Sequence, residues 1–333
     1  GLVAFAIAGL APNLNAIPQA RLTCGPVAYA PYALPGSDAL GNVIAEKFAD
    51  DWKTHAVIMQ NHGVVVAGKD LDDAYQRFET LELCARSLIH ARELGGVKIL
   101  RDQQLEQFEG VRPAMHEAVE GWSPTSADFE LRHEICEIVQ RACRQGLMIS
   151  SYGTVSMRSD ENSFVMTPNG VSRRNLTEHD LVTVTDGVIS SGGRPSRAQK
   201  LHAAIYDKFP EIRSVITTQA PSVMAHAIAR KSVDVRTNPE SWVFVRDIDT
   251  VPFGVQLNDD PQVPECLNPD QPVTIVENDC VIAIGGDLLQ TFDRVEVAEF
   301  TARSNILASR LGGAKAMEND QILELKEAFL DRN

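Results

Sequence analysis

The stretch NHGVVVAGKDLDDAYQRFETLELCARSLIHARELGGVK (61–98) recurs later in the chain as NDCVIAIGGDLLQTFDRVEVAEFTARSNILASRLGGAK (278–315). This repeat is the strongest indication of the fold. When the two stretches are aligned without a gap, 17 of the 38 positions are identical, which is far more than unrelated segments share. In both copies an apolar run precedes a turn ending in aspartate, apolar positions at helical spacing follow, and a Gly-Gly pair closes the pattern. Each copy therefore predicts a strand and a long helix, with Asp70 or Asp287 as the helix N-cap.

A second match extends the repeat and divides the chain into three. LVAFAIA (2–8) matches VMAHAIA (223–229), which places Gly1 opposite Ser222. The second copy opens with a helical pattern near Phe129, so residues 129–221 have no counterpart before Gly1. We therefore expect a first part, 1–99, that is the C-terminal half of a domain; a connector, 100–127, of helix and polar linker; and a second part, 128–333, that is a whole domain. This arrangement, together with the glycine at position 1, predicts that the given chain is a fragment or a processed product of a longer protein.

Composition narrows the class of protein and its partners. The hydrophobic fraction is 44% and the charged fraction 23%, as in globular proteins. The net charge of -14 argues against a nucleic-acid or anionic-membrane partner, since either needs Lys and Arg. GLVAFAIAGLA (1–11) is too short to span a bilayer, which indicates a buried helix. The six cysteines form no CxxC pair, so we expect reduced, structural thiols and a cytoplasmic location.

The second part carries short motifs in a recognisable order: SYGTVSMRS (151–159), FVMTPNGVSRRNL (164–176), RPSRAQKLHAAIY (194–206) and SVITTQAPSVMAHAIA (214–229). With the repeated segment after them, these motifs resemble the class II aldolase/adducin family. The resemblance covers nearly all of 129–333, and the first part resembles the C-terminal half of the family domain. It implies an α/β fold, an α/β/α sandwich around a mostly antiparallel central sheet, here duplicated.

The resemblance also implies a zinc site in active members, made from the histidines of HxH and NHG motifs, with a glutamate as acid/base. In the second part the histidine positions hold Thr217, Gln219 and Asp279, and the glutamate position holds Ala198. We expect no zinc and no catalytic residue there, because these side chains offer at best a weak oxygen site for a hard cation.

Loops that the family uses to bind substrate anions are partly retained in the second part. The candidate substrate- or anion-binding residues are Gly153, Thr154, Thr167, Gly170, Ser196 and Arg197. The alternative is that the fold itself needs these turns, with Pro195 and Ser196 starting a helix. His202 is expected in the core or an interface rather than in a site.

In the first part, His62 in NHG (61–63) fits the third zinc ligand. By the spacing of the repeat, its HxH partners would precede Gly1 by three and five positions. His62 therefore predicts a partial metal site, and zinc is possible only with residues upstream of Gly1.

These observations lead to one functional hypothesis and two alternatives. The hypothesis is an ancestral zinc-dependent aldolase, a carbon-carbon lyase for hydroxy-carbonyl or sugar-phosphate substrates, whose second domain is a degenerate structural partner; the chain as it stands is expected to be inactive. The alternatives are non-catalytic assembly, as in adducin, and binding of a small anionic hydroxy-carbonyl ligand without turnover. Without its upstream strands the first part would expose a sheet edge and an apolar face, so we expect it to pack against the second domain or a neighbouring chain. A homo-oligomer, a dimer or a tetramer, is the expected assembly.

Overall fold

The computed structural model describes residues 1–258 and 261–331. The helices and strands of the first part and the connector are α1 (Leu2–Ala8), α2 (Pro18–Cys24), β1 (Val27–Ala30), α3 (Asp38–Asp50), β2 (Ala56–Met59), β3 (Gly63–Val66), α4 (Leu71–Glu93) and α5 (Asp102–Gly110). Those of the second part are α6 (Ser126–Gln145), β4 (Thr154–Asp160), β5 (Ser163–Met166), β6 (Val182–Thr185), β7 (Val188–Ile189), α7 (Gln199–Lys208), β8 (Ser214–Thr218), α8 (Pro221–Ala229), α9 (Pro239–Val245), β9 (Asp249–Val251), β10 (Val273–Val276), β11 (Cys280–Gly285), α10 (Leu288–Ser309) and α11 (Asn319–Phe329).

The strands of the described residues form two sheets. The second part contains an eight-stranded sheet in the order β7-β6-β5-β4-β8-β11-β10-β9, and among these described strands only β9 and β10 pair in parallel. The first part contains a three-stranded sheet in the order β1-β2-β3, with β1 and β2 parallel and β2 and β3 antiparallel. The pairing of β1, β2 and β3 thus has the same directions as that of β9, β10 and β11.

Alternation along the strands separates two layers of core in the second part. Val281 and Ala283 face the core that contains α6, α8 and α10, whereas Ile282 and Ile284 face the core that contains α7. The sheet therefore lies between helices on both faces. The first of these cores also continues into α1, α2 and α4 of the first part.

The helix caps predicted from the repeated turn are confirmed. Asp70 accepts a hydrogen bond from the N–H of Asp73 at 2.8 Å, and Asp287 accepts one from Gln290 at 2.7 Å. The turn before each strand also matches, because Asn61 and Asn278 both adopt left-handed backbone, with φ of 55° and 59°. Helix α7, in contrast, starts at Gln199, later than expected. Pro195 pairs with Pro168 in a β-bridge, and this holds the chain extended before the helix.

A matched carboxylate in each long helix binds the start of a short helix. Glu82 accepts from the amino group of Gly1 at 2.7 Å and from the N–H of Leu2 at 2.9 Å. Glu299 accepts from the N–H of Ser222 at 2.9 Å and from that of Val223 at 3.0 Å. In both places a negative charge meets the unpaired N–H groups of a helix N-terminus.

Polar contacts join the first part to the second. Asn278 donates from Nδ2 to the carbonyl of Ala16 at 2.9 Å and to that of Lys98 at 2.8 Å. On α4, Ser87 donates to the carbonyl of Pro221 at 3.1 Å. Glu79 on the same helix accepts from Nε of Arg174 at 2.9 Å. Over the described ranges, no helix combines the length and apolar character needed to cross a membrane.

Candidate functional site

A cavity of about 80 Å³ lies at one end of the central strands of the large sheet. Eight residues singled out from the sequence line it: Gly153, Thr154, Ser196, Arg197, Ala198, Thr217, Gln219 and Asp279. Strand pairing explains much of this grouping. Thr154 begins β4 and pairs with Thr217 of β8, while Asp279 immediately precedes β11 on the other side of β8. Side chains far apart in the chain therefore meet at one edge of the sheet.

Asp279 is the buried carboxylate of the cavity. Gln256 donates from Nε2 to Oδ2 of Asp279 at 2.8 Å. Burial raises the pKa of Asp279, and the Gln256 hydrogen bond and the charge of Arg197 oppose that rise. Gln219 also lines the cavity, and its buried Oε1 has no hydrogen-bond partner among the described residues.

Arg197 is held by groups from outside the second part. It donates from Nε to the carbonyl of Val111 at 3.0 Å and from Nη1 to Oε1 of Gln19 at 2.7 Å. Its guanidinium carbon lies 4.1 Å from the ring centroid of Phe108, a cation–π contact. Burial lowers the pKa of Arg197. The first part and the connector therefore close this cavity.

Arg173 organises the loops beside the cavity, although sequence reasoning did not select it. Its fully buried guanidinium donates to the carbonyls of Gly153 at 2.9 Å, Val171 at 2.8 Å and Pro168 at 2.9 Å. Burial lowers its pKa to about 10. Nearby, the hydroxyls of Thr154 and Ser196 lie 2.5 Å apart. The loop geometry thus depends on contacts within the protein.

Other residues named from the sequence lie away from the cavity. Thr167 and Gly170 are not among the residues that line it, and the Thr167 hydroxyl instead accepts from the N–H of Val155 at 3.2 Å. His62 is exposed in the turn between β2 and β3 of the first part. His202 is fully buried, with Nδ1 2.7 Å from Oγ of Ser156, which agrees with the core position expected for it.

The chemistry of the cavity does not fit zinc. The positions matched to the zinc ligands offer a hydroxyl, a carboxamide and one carboxylate that already accepts from Gln256, with no imidazole or thiolate among them. Across residues 1–258 and 261–331, no cluster of three or more His, Cys, Asp or Glu side chains is placed to hold a metal ion.

Several known proteins are similar to this chain in sequence or in fold. The sequence model described as the Class II Aldolase and Adducin N-terminal domain matches residues 2–89 and 133–306. An L-fuculose phosphate aldolase of Methanocaldococcus jannaschii is 25% identical over 177 residues, covering 53% of this chain and 96% of that protein. Beta-adducin of Homo sapiens is 23% identical over 183 residues, covering 52% of this chain and 25% of adducin. The crystal structure of YgbL from Klebsiella pneumoniae has a TM-score of 0.54 at 24% identity, covering 60% of this chain and 98% of YgbL.

Proposed function

Because the chain belongs to the class II aldolase and adducin family, we propose that its second part, 128–333, is a domain of this fold that no longer performs zinc-dependent cleavage and serves as a structural partner. One observation carries the proposal. The cavity is lined by Thr217, Gln219 and Asp279 at the zinc-ligand positions and by Ala198 at the acid/base position. None of these side chains is an imidazole, and the acid/base position carries no carboxylate, because the one carboxylate, Asp279, stands at a zinc-ligand position and accepts a hydrogen bond from Gln256.

The proposal includes a duplication, in which 1–99 is the C-terminal half of a first domain and 100–127 connects it to the second. Matched features in the two parts support it. Glu82 and Glu299 each bind the start of a short helix, and Asn61 and Asn278 adopt the same left-handed turn. The first part closes the cavity of the second through Gln19, so the partial copy contributes packing.

The test measures the zinc content and the aldolase activity of the same protein. After zinc loading and dialysis, elemental analysis should find much less than one zinc per chain. L-Fuculose 1-phosphate, chosen from the name of a related aldolase, should not be cleaved above background. The matched comparison is a variant with A198E, T217H, Q219H and D279H, which restores the donor types at the same positions and should gain zinc. One tightly bound zinc per unmodified chain, lost in T217A/Q219A/D279A, would contradict the proposal, and loss in His62→Ala would move the site to the first part.

A second candidate function is the binding, without turnover, of a small anionic hydroxy-carbonyl ligand. The protein would bind this ligand in the cytoplasm. Arg197 and the hydroxyl of Ser196 line the cavity, and they can bind a carboxylate or phosphate. Inorganic phosphate and glycolate serve as probes in calorimetric titrations. Binding should fall at least about tenfold in Arg197→Met, while Arg194→Met, which alters an exposed arginine outside the cavity, should leave it unchanged. Equal binding in both variants would exclude this site.

A further inference from the structure

The first part binds the second through one face of α4, which packs on α8. In this contact Ser87 donates to the carbonyl of Pro221 at 3.1 Å. Leu83 and Ala91, four positions before and after Ser87, lie on the same face of the helix. All three residues are buried, with exposed fractions of 4% or less. The second part therefore covers this face of α4.

The matching face of α10 borders an open groove of about 280 Å³. Phe300, Ser304 and Ala308 occupy the places of the three residues of α4, and the exposed fraction of Phe300 is 47%. Thr237 and Lys315 line the groove beside them. These five residues are called the α10 groove. The second part thus leaves open the face that the first part uses for docking.

The second part docks on the first with a helix and a turn. From α8, the carbonyl of Ile228 accepts from the N–H of Lys98 at 3.1 Å. From the turn before β11, Asn278 donates from Nδ2 to the carbonyls of Ala16 and Lys98. Met224 and Ile228 of α8 are both 0% exposed. An apolar helix and an asparagine turn are therefore the elements that fill the first part's docking surface.

The first part carries the same two elements on its own surface. Val3 and Ile7 of α1 take the places of the two buried residues of α8, yet they are 57% and 66% exposed. Asn61 has the left-handed backbone of Asn278 and is exposed. Its N–H donates to the carbonyl of Ala6 at 3.2 Å, which holds the turn against α1. Val3, Ile7 and Asn61 thus form one surface, called the α1–Asn61 surface.

The carbonyl groups that the asparagine turn binds also have counterparts. Helices α2 and α9 each begin at a proline, so Ala16, two residues before the first, matches Thr237, two residues before the second. The repeat places Lys98 opposite Lys315. Because Thr237 and Lys315 both line the α10 groove, a second asparagine turn would meet the same two carbonyls there.

One ion pair between the parts joins positions that match each other. Nη2 of Arg310 lies 2.5 Å from Oε1 of Glu93, and the repeat places residue 310 opposite residue 93. Equivalent positions of two units touch only near the axis of the rotation that relates the units. Adding further units by the same rotation therefore brings Glu93 and Arg310 together again, with attractive charges in alternation. A contact repeated by rotation closes into a ring.

We infer that the α10 groove binds the α1–Asn61 surface of a second copy of this chain. In this contact α1 of one copy packs on Phe300 of the other, and Nδ2 of Asn61 donates to the carbonyls of Thr237 and Lys315. The contact repeats between copies the packing that joins the two parts within each copy. The inference rests on the duplication proposed above, and neither zinc nor the cavity takes part in it.

The experiment measures the mass of the chain by sedimentation velocity and light scattering between about 1 and about 100 μM. The expected mass is at least twice that of one chain. Ile7→Glu and Phe300→Lys each place a charge in an apolar contact, so each should weaken the association at least about tenfold. The double variant I7E/F300K sets the two new charges against each other across the contact and should recover the association. Recovery shows that the two surfaces touch.

Val188→Glu is the matched control, because Val188 is 56% exposed on β7, at one edge of the large sheet. It should leave the mass unchanged. Circular dichroism checks that each variant folds, and Ser304→Arg replaces Phe300→Lys if that variant does not. The mass of one chain at every concentration would overturn the inference, as would association that survives both single variants.

Dissociation that the double variant fails to reverse, or that Val188→Glu also causes, would equally overturn the inference, because the loss is then not specific to these two surfaces. Zinc content and cleavage are measured separately. Failure here therefore leaves the proposed loss of zinc chemistry standing, and zinc found in the unmodified chain leaves the measurement of mass interpretable.

Discussion

Lowering the pH from 7 to 5 should remove about 2 kcal/mol of stability through His202 alone. His202 is fully buried, and burial lowers its pKa from the ordinary 6.5 to about 3. The unfolded chain binds a proton at this side chain near its ordinary pKa, whereas the folded chain stays neutral until the pH approaches the lower value. The contribution to stability is therefore present above the unfolded pKa and is lost as the pH falls toward the folded pKa, at about 1.4 kcal/mol per pH unit.

The assay compares urea unfolding of the wild-type chain and His202→Asn at pH 7, 6 and 5. The difference in unfolding free energy between them should fall by about 2 kcal/mol over this range, because asparagine does not titrate. His226, whose pKa burial also lowers, is present in both proteins and cancels. A difference that is constant with pH would refute the reasoning. If the variant fails to fold, the NMR signal of the His202 ring in the wild-type chain decides, since a midpoint near the ordinary pKa contradicts the expectation.

His133→Asn provides a control of opposite sign. The hydrogen bond to Glu178 raises the pKa of the exposed His133, and the charge of Glu137 adds to this. Its contribution is therefore present at low pH and is lost as the pH rises through the folded pKa. The same urea series should show the wild-type advantage growing toward pH 5.

Three further predictions concern packing and thiols. Arg173→Met should cost about 2–4 kcal/mol in urea unfolding, because three buried carbonyls lose a charged donor while removal of a buried charge offsets part of the loss; a loss below about 1 kcal/mol would show that the loops reorganise. Native protein treated with iodoacetamide at pH 8 should be labelled at Cys266, which is partly exposed, ahead of Cys24, whose pKa burial raises to about 12; peptide mapping that finds equal labelling would contradict this. Asn278→Ala should destabilise the folded protein by about 2–3 kcal/mol, because the hydrogen bonds to the carbonyls of Ala16 and Lys98 are lost. Asn278→Gly loses the same bonds but should cost about 1 kcal/mol less, because glycine adopts the left-handed backbone without strain. Equal melting temperatures for the two variants would contradict the role of the backbone.

The sequence predicted the features that depend on local patterns. The turn aspartates Asp70 and Asp287 cap their helices because the cap is made by a residue three positions away. The motif order also led to the family, which the match over residues 2–89 and 133–306 supports. The start of α7 was misplaced, because Pro195 is held in a bridge with Pro168, a partner that is distant in the chain.

The same distinction between local patterns and contacts with distant residues applies to the candidate site. Residue type alone determined that Thr217, Gln219 and Asp279 cannot provide three imidazole ligands, since donor chemistry belongs to each side chain. The partners of Arg197, namely Gln19, Phe108 and the carbonyl of Val111, had no signal in the sequence, because they act only once the first part and the connector dock. Arg173 was likewise missed, since nothing in its local pattern indicates that three carbonyls will surround it.

The repeat, the helix caps and the donor types at Thr217, Gln219 and Asp279 thus followed from the sequence itself, through short-range hydrogen bonding and the chemistry of individual side chains. Only the tertiary structure decided which matched surfaces are buried. Leu71 and Leu288 occupy the same position in equivalent helices, yet one is 86% exposed and the other 0%. Burial depends on what packs against a residue, and neighbours that come from distant segments leave no trace in the local sequence.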